Sequence, residues 1–435
     1  MNEKIKIVLD ISPVLQGLLN NANRTGIYQV NNNILLQMER SEDVDIYLYC
    51  KPHLFSILRR TKLSHYIDDN KVINWNELQY RLSICMGAIY KKKQCAKKNK
   101  NRVSWFFYAM LIEIIDRTVL RTRLKFSKLK LFDAFFSTYE QLPNCVLKHN
   151  NIIKVLYIHD VTMILHPELY SNNKSNPIFR IIKTISNSQL LFANSYNTKN
   201  DFINLRPDIN PDKISVAYPG CSLDFDKMII KSFGDIATHY HISKSKYAFS
   251  LCSVAPNKNL FRIVSTFLKF IKMYHIDDIC LVLGGGLDGK YGEKLLEELH
   301  ELDGFNQYVN YIGYVADEDL PALYKHAEWF VYTSQYEGFG TPVLEAMKCG
   351  CPVIVSNNSS LPEVVDRTGL LIPWDDDEAH IEAYRNYYFD TMLREQNSRL
   401  GKERANTFTW KKTVKFIVSS IYSEKNKRIA KMIKN

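Results

Sequence analysis

Two glutamates, Glu337 and Glu345, stand eight positions apart in the run Tyr336-Glu-Gly-Phe-Gly-Thr-Pro-Val-Leu-Glu345. A carboxylate cannot usefully bind phosphate, but it accepts hydrogen bonds from hydroxyls. Between the two acids lie Gly338 and Gly340, then Thr341 and Pro342. Proline is favoured in a first helical turn, so a helix is predicted to open near Thr341. The start of a helix carries N–H groups without internal partners and the positive end of the helix dipole, a natural seat for an anion. Glu345 then falls within the first helical turns and Glu337 just before the loop. This order asks for a ligand with phosphate in the middle and hydroxyls at both ends, which describes a nucleotide sugar.

The elements that would hold these groups are legible around them. A buried strand, Trp329 to Thr333, leads into the loop, and a second, Pro352 to Val355, follows Gly350. Strand, glycine loop, helix and strand form a unit able to present free N–H groups to phosphate. Upstream, the pattern predicts strands at Tyr247 to Val254, Ile279 to Leu283 and Val309 to Ile312. Helices are expected at Leu260 to Tyr274, Lys294 to His300 and Leu320 to His326. The first half has the same rhythm, with strands at Lys4 to Leu9, Asp45 to Tyr49, Leu131 to Phe136, Ile153 to Ile158 and Leu190 to Ala193, and a helix at Ile27 to Met38. Alternating strands and helices predict an α/β chain with two Rossmann-like halves, each a parallel sheet covered on both faces. The halves join near Cys221 to Ser245. A stretch from about Tyr80 to Lys128 interrupts the rhythm with an apolar helical piece, Val103 to Ile115, between basic runs. A last helix begins near Thr409 and carries Val414, Phe416, Ile417 and Ile421 at helical spacing.

Composition bounds the function. At 435 residues, two or three domains are expected, and 46% apolar content suits real cores. No apolar run is long enough to span a bilayer, and the N-terminus reads as a buried strand instead of a signal peptide, so a cytoplasmic location is expected. Nine cysteines, only Cys349 and Cys351 close together, read as reduced thiols without a metal role. The net charge of +11 is uneven: thirteen lysines and arginines between Lys91 and Lys130 face only Glu113 and Asp116. Such a stretch seeks a negative partner. Trp105, Phe106, Phe107, Met110, Leu111, Ile114 and Ile115 lie among the cations, which suits docking on an anionic membrane surface, peripheral on the inner face. Nucleic acid is not expected, because neither an RNA-recognition strand motif nor a zinc module is present.

The glutamate run is followed by Ala346-Met347, Gly350, Pro352-Val353, Ser356-Asn-Asn-Ser-Ser-Leu-Pro-Glu-Val-Val365 and Gly369-Leu-Leu-Ile-Pro373. In this order the chain resembles the family 4 glycosyltransferases, retaining enzymes of the GT-B fold acting on nucleotide-activated sugars. The resemblance implies two Rossmann-like domains facing a cleft. An acceptor domain would span 1–222, with the basic insertion at about 80–128. A donor domain would span 223–408, and a C-terminal helix, 409–435, would pack back toward the first domain.

The resemblance also implies roles. Glu337 would bind hydroxyls of the donor sugar and stabilise charge at the reacting carbon. Phe339 and Gly340 would bring backbone close to the sugar. The N–H groups of Thr341, Val343 and Leu344, with Pro342 fixing the turn, would meet phosphate, and Glu345 would accept from the ribose hydroxyls. The segment Leu251-Cys-Ser-Val-Ala-Pro-Asn-Lys-Asn259 resembles the family's phosphate grip, with Lys258 as its lysine. It departs from the pattern at Cys252, often Gly, and at Ser253, often Arg but still expected to contact the donor, leaving Lys258 as the only cation of that grip. Tyr314 and Val315 would present backbone to the base. In the first half, Gly26 matches the family's glycine loop, and His159, in Tyr157-Ile-His-Asp160, would contact the donor sugar. No metal or other cofactor is expected, Asp375-Asp-Asp377 reading as a solvated turn, and no general base is named, because the acceptor proton is expected to pass to the leaving phosphate. The implied reaction moves a hexose, with GDP-mannose the favoured donor, to a glycan or polyprenyl-linked acceptor during surface polysaccharide synthesis. A catalytically silent GT-B scaffold binding a glycan or a protein is the alternative.

Overall fold

The computed structural model describes residues 3–19, 26–99, 101–118, 126–170, 176–221, 228–287 and 289–434. The strands sort into two parallel six-stranded sheets. The first is ordered β2-β1-β3-β4-β5-β6, from Ile5–Asp10 (β1), Val44–Tyr49 (β2), Ala134–Ser137 (β3), Ile153–Ile158 (β4), Gln189–Ala193 (β5) and Ile214–Val216 (β6). The second is ordered β12-β11-β10-β7-β8-β9, from Lys246–Leu251 (β7), Ile279–Gly284 (β8), Val309–Gly313 (β9), Trp329–Tyr332 (β10), Val353–Ser356 (β11) and Leu370–Ile372 (β12). Every residue of β4, β8, β10 and β11 is buried, as strands covered on both faces require.

Alternation along β1 shows the two layers. Ile5, Ile7 and Leu9 join one core, whereas Val8 points into another with Phe135, Leu156 and Leu191. The first of these cores is completed by the far end of the chain. In the helix Trp410–Lys434, the stripe Trp410, Val414, Ile417, Val418 and Ile421 packs into it. Polar contacts fix the same helix: Tyr422 Oη accepts from the Ile5 N–H at 3.1 Å, and the Lys425 ammonium meets Asp133 at 2.8 Å.

Some elements differ from the sequence expectation. The strand expected to run to Val254 stops at Leu251, because Pro256 opens a 3-10 turn and Asn259 takes a left-handed φ of 58° before the helix Leu260–Tyr274. The strand expected from Leu131 begins at Ala134, behind the 3-10 turn Phe126–Leu131. The interrupting stretch holds two helices, Glu77–Lys98 and Arg102–Thr118, where sequence periodicity marked only the second. The short β6 has no counterpart among the strands expected from sequence.

Candidate active site

The carboxyl ends of both sheets face each other, and the loops leaving them meet in the cleft. From the second half comes the loop after β10, Thr333 to Gly340, which leads into the helix Thr341–Lys348. From the first come His159 and Asp160 after β4, and Asn194 and Ser195 after β5. The approach is close: a Cβ on Gly338 would lie 2.7 Å from the Asp160 Cβ, 2.8 Å from the His159 carbonyl and 3.2 Å from the Asn194 amide nitrogen. The Ser195 hydroxyl, which caps the Tyr196–Leu205 helix, donates to the Gly338 carbonyl at 2.8 Å.

At the centre, Glu337 Oε1 accepts from Lys258 Nζ at 2.5 Å and from the Tyr332 hydroxyl at 3.0 Å, and Lys258 also donates to the Tyr332 oxygen at 3.0 Å. Burial alone would lower the Lys258 ammonium. The Glu337 carboxylate and the Tyr332 oxygen outweigh it and hold the lysine protonated, well above its ordinary pKa. The cation of the grip is thus already paired with the acid expected to face the sugar. Glu337 is fixed further by its backbone, whose N–H donates to Ser359 Oγ and whose carbonyl accepts from Ser360 Oγ. Tyr332 is a site residue that the sequence reading missed, since a tyrosine ending an apolar strand looks like core.

The helix start differs in detail from expectation. The N–H groups of Val343 and Leu344 both turn to the Gly340 carbonyl, at 3.0 and 3.3 Å. Those of Phe339, Gly340 and Thr341 make no hydrogen bond to another described residue, so the free donors sit earlier in the loop. Gly340 has φ of 93°, a conformation L side chains resist, and a Cβ there would come within 2.5 Å of Leu361. Pro342 occupies the first turn. The Phe339 ring is buried against Tyr218 and Phe408, so its side chain packs and only its backbone lines the loop.

Glu345 is buried, with its Oε2 accepting from the Tyr324 hydroxyl at 3.3 Å. Burial pushes its carboxyl up to about 8. It can hold a proton at neutrality until hydroxyl donors reach it. His159 is held neutral by burial, its pKa lowered to about 4. Its Nε2 lies 2.8 Å from the Thr138 carbonyl. A carbonyl only accepts, so Nε2 carries the hydrogen and Nδ1 keeps a lone pair for a hydroxyl. Asp160 accepts from the Thr162 N–H, and burial raises its pKa, with the Glu337 charge across the cleft adding to the effect.

Ser253 is exposed beyond the end of β7, and Cys252 is buried against Gly285, whose Cβ would strike the Cys252 carbonyl. Val315 is buried and packs on Gly284, whereas Tyr314 is exposed at the rim. Gly26 begins the Gly26–Glu39 helix, a Cβ there would meet no described atom within 4 Å, and its neighbours Arg24 and Thr25 lie outside the described residues. Asp376 caps the Asp377–Phe389 helix, and Asp377 pairs with Arg262 and Lys269.

A second group went unassigned from sequence. Glu363, in the helix Leu361–Val365, accepts from the N–H groups of Tyr196 and Asn197, at 2.8 and 2.6 Å, and from the Tyr218 hydroxyl at 2.9 Å. A carboxylate from the second half therefore caps a helix of the first. Beside it, Tyr336 donates to Asp201 at 2.7 Å. The Leu-Pro-Glu run was visible in the sequence, but the partner it reaches is more than 160 residues away.

Comparison with known proteins agrees with this architecture. Residues 235–405 match the family described as Glycosyl transferases group 1. O-antigen chain mannosyltransferase B of Escherichia coli is 30% identical over 269 residues, covering 62% of this chain and 70% of that protein. The serotype-specific mannosyltransferase WbdA of Escherichia coli is 27% identical over 218 residues, 48% of this chain but only 26% of that longer protein. Among solved structures, Anabaena Alr3699/HepE in complex with UDP and glucose superposes with a TM-score of 0.62 at 16% identity, over 96% of this chain and 100% of that one.

Proposed function

Because the chain belongs to the group 1 glycosyltransferases, of the family 4 type and the GT-B fold, we propose that it moves a hexose, with retention, from a nucleotide sugar to a glycan or polyprenyl-linked acceptor in surface polysaccharide synthesis. GDP-mannose is the favoured donor, because the matching relatives named above are mannosyltransferases. The observation that carries this reading is the Glu337–Lys258–Tyr332 cluster at the mouth of the Thr341–Lys348 helix, set directly across from His159. The free N–H groups of Phe339 to Thr341 would take phosphate. Glu337 would face the sugar, and Glu345 the ribose. Lys258 would help neutralise the charge growing on the leaving diphosphate. The proton of the acceptor hydroxyl would pass to that phosphate, and no metal is required. The enzyme would work peripherally at the inner face of the membrane, its basic 91–130 stretch toward anionic lipid.

The test is consumption of a panel of GDP-, UDP-, dTDP- and ADP-sugars, paired with thermal shifts by the four nucleotides, since a ligand of the folded state raises its apparent stability. Wild type should consume one donor, and Glu337→Ala should lose that turnover while still unfolding cooperatively, at a lower midpoint because Lys258 loses its buried partner. Nucleotide binding with no sugar consumed would favour the silent scaffold, for which the missing arginine at Ser253 and the prior engagement of Lys258 are the supporting observations.

A further inference from the structure

The second sheet shows where this fold puts a ligand. Its order, β12-β11-β10-β7-β8-β9, changes winding direction between β7 and β10. Lys258 follows one of those strands and Glu337 the other, so their cluster stands at the switch point, the usual ligand crevice of an open parallel sheet. The first sheet has a switch point of its own. The chain leaves β1 for β2 on one flank and returns to β3 on the other. His159 and Asn194 stand farther along the same edge, past the ends of β4 and β5.

Three charged side chains meet at this β1/β3 crevice. Asp10 ends β1 and lies level with Ser137, the last residue of β3. Glu140 follows in a turn that the Ser137 hydroxyl ties by donating to the Glu140 carbonyl at 2.6 Å. Lys51, just past β2, pairs with Glu140 at 2.8 Å, and its N–H donates to Ser12 Oγ at 3.0 Å. Asp10 and Glu140 are only 2% and 5% exposed. Burial raises the Asp10 carboxyl to about 6, the Glu140 charge adds to it, and Lys51 offsets less than Glu140 supplies. Two buried carboxylates thus share one ammonium, and the crevice keeps an excess of negative charge. Asp10 also accepts from the Ser12 N–H at 2.9 Å, a turn contact that Asn or Ser would make as well. That contact gives no reason for a second buried acid beside it.

A separate observation marks the place as incomplete. Thr138, in the turn between Ser137 and Glu140, is 1% exposed, and its Oγ1 has no hydrogen-bond partner among the described residues. Buried hydroxyls are rarely left so. The carbonyl of the same residue holds His159 Nε2. Tyr139 joins the crevice to the reacting centre. Its ring meets that of His159 edge-on, with centroids 5.7 Å apart. Burial pushes its phenol up to about 12, and the Asp160 and Glu140 charges both add to the effect, so the ring lies within reach of the two.

These groups select the occupant. Carboxylates accept from sugar hydroxyls, and a threonine hydroxyl can accept or donate. A phosphate or a sugar acid would bring one more negative charge to two buried carboxylates whose single ammonium is already engaged. We propose that the β1/β3 crevice binds the accepting sugar of an uncharged glycan end, with Asp10, Glu140 and Thr138 on its hydroxyls and Tyr139 flanking it on the His159 side, and that it rejects phosphorylated and acidic sugars. That this sugar is the acceptor rests on the transferase reading above; that a neutral sugar binds here does not.

The experiment is saturation-transfer NMR on the full chain without any donor. The probes are the methyl glycosides of mannose, glucose, galactose and N-acetylglucosamine, beside mannose 6-phosphate and glucuronic acid. At least one neutral glycoside should show transfer, and neither anionic sugar should. Asp10→Asn keeps an acceptor for the Ser12 N–H and should weaken the neutral ligand about tenfold or more, the size of a lost hydrogen bond to a charged group. Glu140→Gln leaves Lys51 unopposed by its partner, so mannose 6-phosphate should gain affinity while the neutral glycoside loses it. Thr138→Val serves as a second probe should either acid variant lose its cooperative thermal transition. With a donor present, the acceptor KM of Asp10→Asn should rise by the same factor as its dissociation constant. Silence from every neutral glycoside, equal signals from mannose 6-phosphate and methyl mannoside in the wild type, or unchanged affinity in Asp10→Asn overturns the proposal. So does a thermal shift by magnesium or calcium ions that Asp10→Asn removes, which would assign the acids to a cation. Binding that fits while no donor is consumed leaves the sugar site standing and removes only the transferase reading.

Discussion

Gly338 stands where no side chain fits. A methyl there would meet both Asp160 and the His159 carbonyl of the opposite half. Gly338→Ala should therefore push the Glu337 loop away from His159 and lower turnover by more than about tenfold through misplacement. The thermal midpoint should change little, because the clash lies at the cleft and outside either core; an unchanged turnover would show that the halves need not approach this closely. Glu345 makes a pH-dependent prediction. Its folded pKa of about 8 lies above the ordinary 4.5, so the folded chain holds a proton that the unfolded chain releases between those values. Its contribution to stability is complete below pH 4.5 and is lost as pH rises toward 8, by at most about 1.4 kcal/mol per pH unit. Glu345→Gln should flatten that slope in denaturant melts followed from pH 5 to 8. The same variant should weaken nucleoside diphosphate binding most above pH 8, where the native carboxylate is ionised and accepts hydroxyl donors best. The two glutamates were visible in the sequence because their spacing is local. Tyr332 and Glu363 were not, because each acquires its role from a residue brought near by folding.

The loop between β10 and the Thr341–Lys348 helix depends on one backbone conformation. Gly340, at φ 93°, turns the chain so that its carbonyl collects the Val343 and Leu344 N–H groups and leaves those of Phe339, Gly340 and Thr341 without a partner among the described residues. Gly340→Ala combines the left-handed penalty, about 1–2 kcal/mol, with a contact on Leu361. A fall in chemical-denaturation midpoint and a weaker nucleotide-induced thermal shift are expected together, whereas loss of only the first would separate the turn from anion binding. Strands were the most legible elements: the all-buried runs of β4, β8, β10 and β11 are short, apolar and bounded by turn residues. The Glu77–Lys98 helix escaped because its lysines and polar residues blur the apolar period, and its packing partner is the neighbouring helix of a hairpin. The end of β7 was misplaced because Cys252, Val254 and Ala255 are buried without being in a strand.

At the scale of the molecule, the two halves are joined by a carboxylate. Glu363 takes both leading N–H groups of the Tyr196–Leu205 helix and the Tyr218 hydroxyl. Glu363→Ala should loosen the cleft: small-angle scattering should give a larger radius of gyration, and KM for the donor should rise more than kcat falls. An unaltered scattering profile would show that Ser195, Asp201 and Tyr336 hold the halves without it. The overall plan of two parallel sheets could be read from alternating patterns. The clasp between them could not, since it consists of single side chains crossing a boundary.

The helix Trp410–Lys434 adds a consequence in time. Its stripe belongs to the core that Ile5, Ile7 and Leu9 begin, so β1 waits for Trp410–Lys434 to be made before its layer is sealed. While synthesis proceeds, that face of the nascent sheet stays greasy and open, a target for chaperones, and a message cut short after Phe408 would yield a protein whose second half is intact and whose first half aggregates.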